Sequence, residues 1–227
     1  MTLSNRFNIP PEIILYGGTG QAKVVRPIIE FYGSKVVAVF DDTDGLLPPF
    51  DDIALYRGFH SLLEWIKGKK LNKTGFCITI GNPHGKARMK LHNDLVKLGL
   101  TPATVVHHTA FLADNCSIGD GSQIMAGVII MPEVKIGKQC IINTKSSIDH
   151  ECVLEDACEV APGATLCGCV HMKFNSWVCA GATVLPRITL GENSIVGAGS
   201  LVREDVPDNT TIVGVPANRF LKRKSND

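Results

Sequence analysis

From Ile118 to Val202 every sixth residue is a large aliphatic one, with Met172 in the series, fifteen times in succession; Val106 and Leu112 extend the phase backwards. A helix repeats every 3.6 residues and cannot keep a strict six, and an alternating strand needs no special residue at every third alternation. Four positions after each aliphatic residue the side chain is mostly small or β-branched, as at Cys116, Ser122, Cys140, Ser146, Ala164 and Ala182. Two interleaved columns with a period of six describe a parallel β-helix. Three hexads close one triangular coil, the aliphatic residue points into the prism, and the small residue fits near a corner. Successive coils pair through their backbones at about 4.8 Å. Glycines that directly follow the aliphatic residue, at 119, 137, 191 and 197, fall where a tight corner tolerates little side chain.

A prism of this kind has flat faces and two open ends, which solenoids cap or pack against copies of themselves. Pro207 and Pro216 break the phase after Val202, so a cap and tail are expected over 206–227. The β-helix itself is expected over 106–205. Such a core, filled with Ile, Val and Leu, accounts for an aromatic content of only 6%. Of the eight cysteines, Cys116, Cys140, Cys152 and Cys158 fall in the small-residue column, where a small apolar group is wanted. Cys140 and Cys158 stack one coil apart, near enough to bridge, but a reducing compartment keeps them as thiols.

Residues 1–105 lack the repeat and alternate strand with helix instead. Apolar runs at 13–16, 36–40 and 76–80 read as strands, with a fourth over Ala103–Val106. Val25, Ile28, Ile29 and Tyr32 line one face of a first helix from Val24, and Phe59, Leu62, Leu63 and Ile66 a second. Pro83 suits the start of a third. The pattern predicts a small parallel sheet whose ligands bind beyond the carboxyl ends of the strands. That edge gathers Gly17–Lys23, Asp41–Asp42 and Gly81–Asn82. A dinucleotide fingerprint is incomplete, because Lys23 stands where the third glycine is required. A diphosphate at a helix N-terminus suits the glycine loop better.

The chain of 227 residues has 23 Lys and Arg against 22 Asp and Glu, a net charge of +1. That balance argues against a nucleic-acid partner, which needs a basic face. The basic tail residues Arg219, Lys222, Arg223 and Lys224 read as solvated. No apolar run is long enough to span a membrane or to form a secretory core, so a cytoplasmic location is expected.

YGGTGQAK at the start of a small Rossmann-like domain, then hexapeptide repeats with an N-x6-HE segment, then VGVPA, resembles the acetyl-CoA-dependent N-acetyltransferases of nucleotide-linked 4-amino sugars. The similar sialic acid O-acetyltransferases share the pattern. The resemblance runs from about residue 12 to 220. It implies an α/β Rossmann-like domain followed by an all-β left-handed parallel β-helix. It also implies a homotrimer with acetyl-CoA held between neighbouring β-helices, no metal, and a role in bacterial surface glycan biosynthesis. By the same resemblance His150 is the general base, Glu151 its acidic partner, and Asn143 a polar residue near the reacting groups. Gly168, Ala180 and Ala198 contact acetyl-CoA through their backbones, and Glu159 touches it at the place where the family commonly has His. Thr19, Gly20, Gln21, Asp41, Asp42 and Gly81 contact the nucleotide-linked amino sugar, with Gln21 replacing a common His.

The spacing gives this reading independent support. His150 and Gly168 differ by one coil of 18 residues, so they stack. A neutral imidazole is suited to accept the amine proton near neutral pH. The neighbouring carboxylate favours the imidazolium, and a backbone N–H at Gly168 is suited to stabilise the oxyanion. Other classes also fit parts of the pattern. Cys167-x-Cys169-x-His171 has ligand types for zinc, as in a metal-dependent hydro-lyase. A non-catalytic trimeric scaffold would need only the repeat. Within the acetyltransferases, O-acetylation of sialic acid or a related sugar uses the same base.

Overall fold

The computed structural model describes residues 7, 9–81 and 83–222; Asn82 and the tail residues Arg223 and Lys224 lie outside them. The chain divides into two compact units, one up to Val106 and the other from His107 onward.

In the first unit the elements are β1 (Glu12–Tyr16), α1 (Gly20–Phe31), β2 (Lys35–Asp41), β3 (Leu55–Arg57), α2 (Gly58–Ile66), β4 (Thr74–Ile78), α3 (Gly85–Lys97) and β5 (Thr101–Pro102). All five strands run parallel, in the order β3-β2-β1-β4-β5. The strands β1 and β4 are apolar almost throughout because helices cover both faces of such a sheet. Ile14, Tyr16, Phe40, Phe76 and Ile78 form one core with Leu62 of α2 and Leu95 of α3. The chain runs outward from β1 to β2 and β3, then returns to place β4 on the other side of β1. That reversal opens a crevice between the carboxyl ends of β1 and β4.

Several boundaries differ from the sequence expectation. Helix α1 starts at Gly20, ahead of its first apolar residue, because Thr19 already has extended backbone and serves as the N-cap. Strand β4 ends at Ile78, since the hydroxyl of Thr79 turns back to donate to the carbonyl of Gly17 at 2.6 Å. Pro83 precedes α3 by two residues. The expected strand over 103–106 is two short ones, Thr101–Pro102 and Val105–Val106. Strand β3 was not expected at all.

The second unit is the left-handed β-helix. Its strands are two residues long and pair with the strand 18 residues away, as in Ser147, Thr165, Thr183 and Leu201. From Ile124 to Val202 every aliphatic residue of the series is buried, as is every member of the small-residue column from Cys116 to Ser200. Each coil turns three corners. Gly119, Gly137 and Gly191 meet the expectation of tight corners, for a Cβ there lies 2.4–2.5 Å from an atom of the following coil or of the terminal segment. The left-handed backbone, however, falls three positions after the aliphatic residue. Gln139, Lys145, Glu151, Cys169 and Arg187 all adopt it, with φ between 54° and 66°, and glycine fills it only at some turns. Each non-glycine residue there costs about 1–2 kcal/mol, offset by the ladder that closes the coil on both sides.

One corner carries an asparagine ladder. The Asn175 amide donates to Asn193 Oδ1 at 2.8 Å, and that of Asn193 to Asn209 Oδ1 at 3.0 Å. Beyond Val202 the strand Thr210–Gly214 joins Ile195–Val196 in parallel and turns back antiparallel with Ala217–Lys222. All eight cysteines are free thiols. Cys140 and Cys158 each use the sulfur to donate to a carbonyl, of Glu155 and Lys173 respectively, both at 3.2 Å.

Candidate active site

The turn of the β-helix presents one amide outward. Two positions after the aliphatic residue the N–H, where the residue is not proline, leaves the ladder, and side-chain oxygens take it at Lys138, Thr144, His150 and Phe174. At Gly168, Ala180 and Ala198 the same amide has no hydrogen-bond partner among the described residues. These three are the backbone positions expected to meet acetyl-CoA, and the amides of Ala126 and Asp156 share the feature.

His150 occupies the outward position of its own turn, with about half of its side chain exposed. Its Nδ1 lies 2.8 Å from Glu151 Oε2. A carboxylate only accepts, so Nδ1 carries the proton, and in the neutral ring the lone pair is left on Nε2. The left-handed backbone of Glu151 turns its side chain back beside the ring. The amide of Cys169 donates to the His150 carbonyl at 2.9 Å and locks the two coils in register. A Cβ on Gly168 would lie 2.6 Å from both Cε1 and Nε2 of His150. A side chain at 168 would therefore displace the imidazole, while the backbone φ of Gly168 sets no such limit. The arrangement suits proton abstraction at Nε2 with an amide donor beside it.

Asn143, Ala180 and Ala198 stand at the adjoining corner, at the other edge of the face formed by Ser147–Ile148 and Thr165–Leu166. Asn143 Oδ1 accepts the amide of Thr144 at 2.8 Å, so it shapes its own turn. Glu159 lies on the strand leading into that corner and is only 7% exposed. Nearby, the thiol of Cys179 is pushed up to about 11, chiefly by burial and then by the Glu159 charge.

Cys167, Cys169 and His171 do not form a group of potential ligand atoms among the described residues, and His171 Nε2 pairs with Glu155 Oε1 at 2.9 Å. Among the described residues the set of potential ligand atoms within 4.8 Å of one another is instead His150, Glu151 and Cys169. The sequence places Cys169 with Cys167 and His171, whereas the structure sets it beside Glu151, one coil earlier.

In the first unit Gly17, Thr19, Gly20 and Gln21 lead into α1, and Asp41, Asp42 and Gly81 end or follow β2 and β4. Gly17 has φ 116°, and a Cβ there would strike the Thr79 carbonyl at 2.5 Å. The Thr19 side chain makes no capping bond, and the first turn of α1 carries no acidic residue. The helix thus presents its positive end to solvent beyond the sheet. Asp41 does something the sequence did not show. One carboxylate oxygen accepts the Gly18 amide at 2.6 Å and the other that of Thr43 at 2.8 Å. Burial acts to raise its pKa, but these hydrogen bonds outweigh burial and hold it below the usual range. Asp42 accepts the phenol of Tyr16 at 2.8 Å. Burial first, and then that bond, push the phenol pKa up, so Tyr16 remains a neutral donor.

Residues 12–95 match the model of the PglD N-terminal domain, and 115–150 match the bacterial transferase hexapeptide of six repeats. GDP-perosamine N-acetyltransferase of Escherichia coli O157:H7 is 31% identical over 220 residues, covering 92% of this chain and 97% of that protein. The crystal structure of PerB from Caulobacter crescentus, in complex with CoA and GDP-perosamine, superposes with a TM-score of 0.81 at 30% identity, over 91% of this chain and 96% of the other. Galactoside O-acetyltransferase of Lactococcus lactis is 48% identical over 58 residues, but that match spans only 27% of its length. No helix among the described residues is long and apolar enough to cross a membrane. The chain belongs to the hexapeptide-repeat acetyltransferases that carry a PglD-type N-terminal domain, the family of GDP-perosamine N-acetyltransferase.

Proposed function

We propose that this protein transfers the acetyl group of acetyl-CoA to the 4-amino group of a nucleotide-linked aminodeoxysugar, in surface glycan biosynthesis, with His150 as general base. The observation that carries the proposal is the His150 ring, held by Glu151 with its Nε2 lone pair beside the outward face of Gly168. The relatives that act on or bind GDP-perosamine supply the substrate class.

As the amine attacks the thioester carbonyl and the C–N bond forms, its proton passes to Nε2 of His150. Glu151 stabilises the resulting imidazolium, and the Gly168 N–H donates to the oxyanion. Such a donor contributes on the order of 2.7–4 kcal/mol. Collapse breaks the C–S bond, and the imidazolium returns the proton to the departing thiolate. The amides of Ala180 and Ala198 hold the pantetheine arm, with Glu159 nearby and Asn143 at the same corner. These groups and His150 edge one face at different corners. A homotrimer with sites between subunits lets the base corner of one β-helix meet the acetyl-CoA corner of its neighbour.

Residues 1–105 hold the nucleotide-linked sugar and 106–205 carry the transfer, with 206–227 as cap and tail. Thr19, Gly20 and Gln21 meet the diphosphate at the start of α1. Asp41, Asp42 and Gly81 meet the rest of the nucleotide, and Asp41 also sets the glycine loop. The test is thiol release from acetyl-CoA against GDP-, UDP- and dTDP-linked 4-amino sugars and sialic acids. Release with an amino acceptor, reduced by about 10²–10⁴ in His150→Ala, is expected. Near-wild-type turnover of that variant ends the base assignment, and release only with hydroxyl acceptors moves the reading to O-acetylation.

A further inference from the structure

The turn that carries His150 holds a second chemistry. Nδ1 of His150 and Oε2 of Glu151 are 2.8 Å apart, and the sulfur of Cys169 lies 3.8 Å from the same oxygen. All three ligand atoms lie within 4.8 Å of one another. They sit on two consecutive coils that the Cys169-to-His150 backbone bond holds in register, and both Glu151 and Cys169 are in the left-handed conformation, with φ 61° and 62°. The coil sets where their backbones stand, so the three side chains start from neighbouring turn positions.

We infer that His150, Glu151 and Cys169 form a reversible site for a zinc-like divalent cation, and that its occupation switches off the His150 base. The inference about switching rests on the general-base reading; the inference about binding does not. Bond lengths of about 2.0–2.3 Å to nitrogen, oxygen and sulfur place tetrahedral ligands roughly 3.3–3.6 Å apart, so shifts of about half an ångström from the 2.8 and 3.8 Å separations to Glu151 Oε2 would seat an ion. One nitrogen, one carboxylate oxygen and one thiolate leave a fourth position for water. Arg187 Nη1 lies 3.9 Å from the same sulfur and opposes a dication, which suits reversible rather than permanent occupation.

Coordination has a defined consequence for the ring. With the metal on Nδ1, a neutral imidazole carries its remaining proton on Nε2. The lone pair that accepts the amine proton is then lost. The balance is simple: the cation replaces the thiol proton of Cys169, which leaves to solvent, while the ring proton moves from Nδ1 to Nε2 by exchange with water. Nothing is oxidised or reduced.

The experiment titrates Zn²⁺ into the protein by calorimetry and Co²⁺ by absorbance, then follows acetyl transfer with and without chelator. Wild type is expected to bind one ion per subunit, with a thiolate-to-cobalt charge-transfer band, and to lose activity reversibly. Cys169→Ser is expected to keep basal turnover, to lose the band and to bind zinc about tenfold or more weakly. Equal zinc affinity in Cys169→Ser, or no thiolate band in wild type, overturns the site. Binding that depends on Cys169 while transfer continues unimpeded supports the site and places the failure in the base assignment.

Discussion

The two units hold their functional groups in opposite ways. In the β-helix the fold rests on two buried columns, and the outward turn positions contribute little to it. His150 and Gly168 sit at such positions, with Ile148 and Leu166 buried beneath the same coils. In the α/β unit the candidate residues are part of the fold itself. Asp41 spends both carboxylate oxygens on backbone amides, and Thr79 ties the end of β4 to the glycine loop. The buried guanidinium of Arg88 donates to the Ile80 carbonyl, next to Gly81, at 3.1 Å. A periodic scaffold separates stability from chemistry; a sheet edge built from loops has to combine them.

The largest expected effect is that of His150→Ala, which tests the separation. Its turnover loss of about 10²–10⁴ is expected to come with an unchanged melting temperature, read by calorimetry. A melting temperature lower by several degrees would show that the corner also carries the fold. Leu166→Ala, two residues before Gly168 but in the inner column, is the converse. It is expected to destabilise by about 2–5 kcal/mol, measured by denaturant unfolding. Gly168→Ala sharpens the comparison within one turn. The added methyl displaces the His150 ring, so kcat falls by about tenfold or more while acetyl-CoA binding and unfolding change little. An unaffected kcat would mean the ring is not held where the structure places it.

Asp41→Asn tests the other unit with a smaller effect. Two charge-assisted hydrogen bonds weaken, costing about 1 kcal/mol after allowance for solvent screening, and KM for the sugar nucleotide rises. The sign of the pH dependence follows from the depressed pKa of Asp41. Its contribution is present above the unfolded carboxylate value of about 3.9 and is lost as pH falls through the folded value. Stability of Asp41→Asn should therefore converge on wild type as acid protonates the carboxyl. A constant difference down to that pH removes Asp41 from its loop-setting role.

Legibility followed the same division. The inner column, the small-residue column and the 18-residue stacking of His150 on Gly168 came from spacing alone, because a coil converts sequence distance into spatial distance. The left-handed position did not, since Glu, Lys, Ala, Cys, Asn and Arg share it and have no side-chain chemistry in common. Strand β3 was missed because Leu55–Arg57 is three residues at the sheet edge with no buried member. The zinc grouping Cys167-x-Cys169-x-His171 read neighbours along the chain. Cys167 follows one strand, Cys169 lies in the turn and His171 opens the next strand, whereas the neighbour one coil earlier, Glu151, is the one that faces Cys169.

By itself the sequence determined that this chain builds a β-helix after a parallel α/β unit, because a six-residue period admits few other ways to bury an aliphatic column. It also determined that an imidazole and a glycine stack on one edge. Only the tertiary structure decided which His150 nitrogen holds the proton and that Cys169 completes a ligand set. It alone showed that Asp41 also anchors the glycine loop. These depend on where a few hydrogen-bonding atoms lie, to within about 1 Å, and composition and spacing do not specify atoms at that scale.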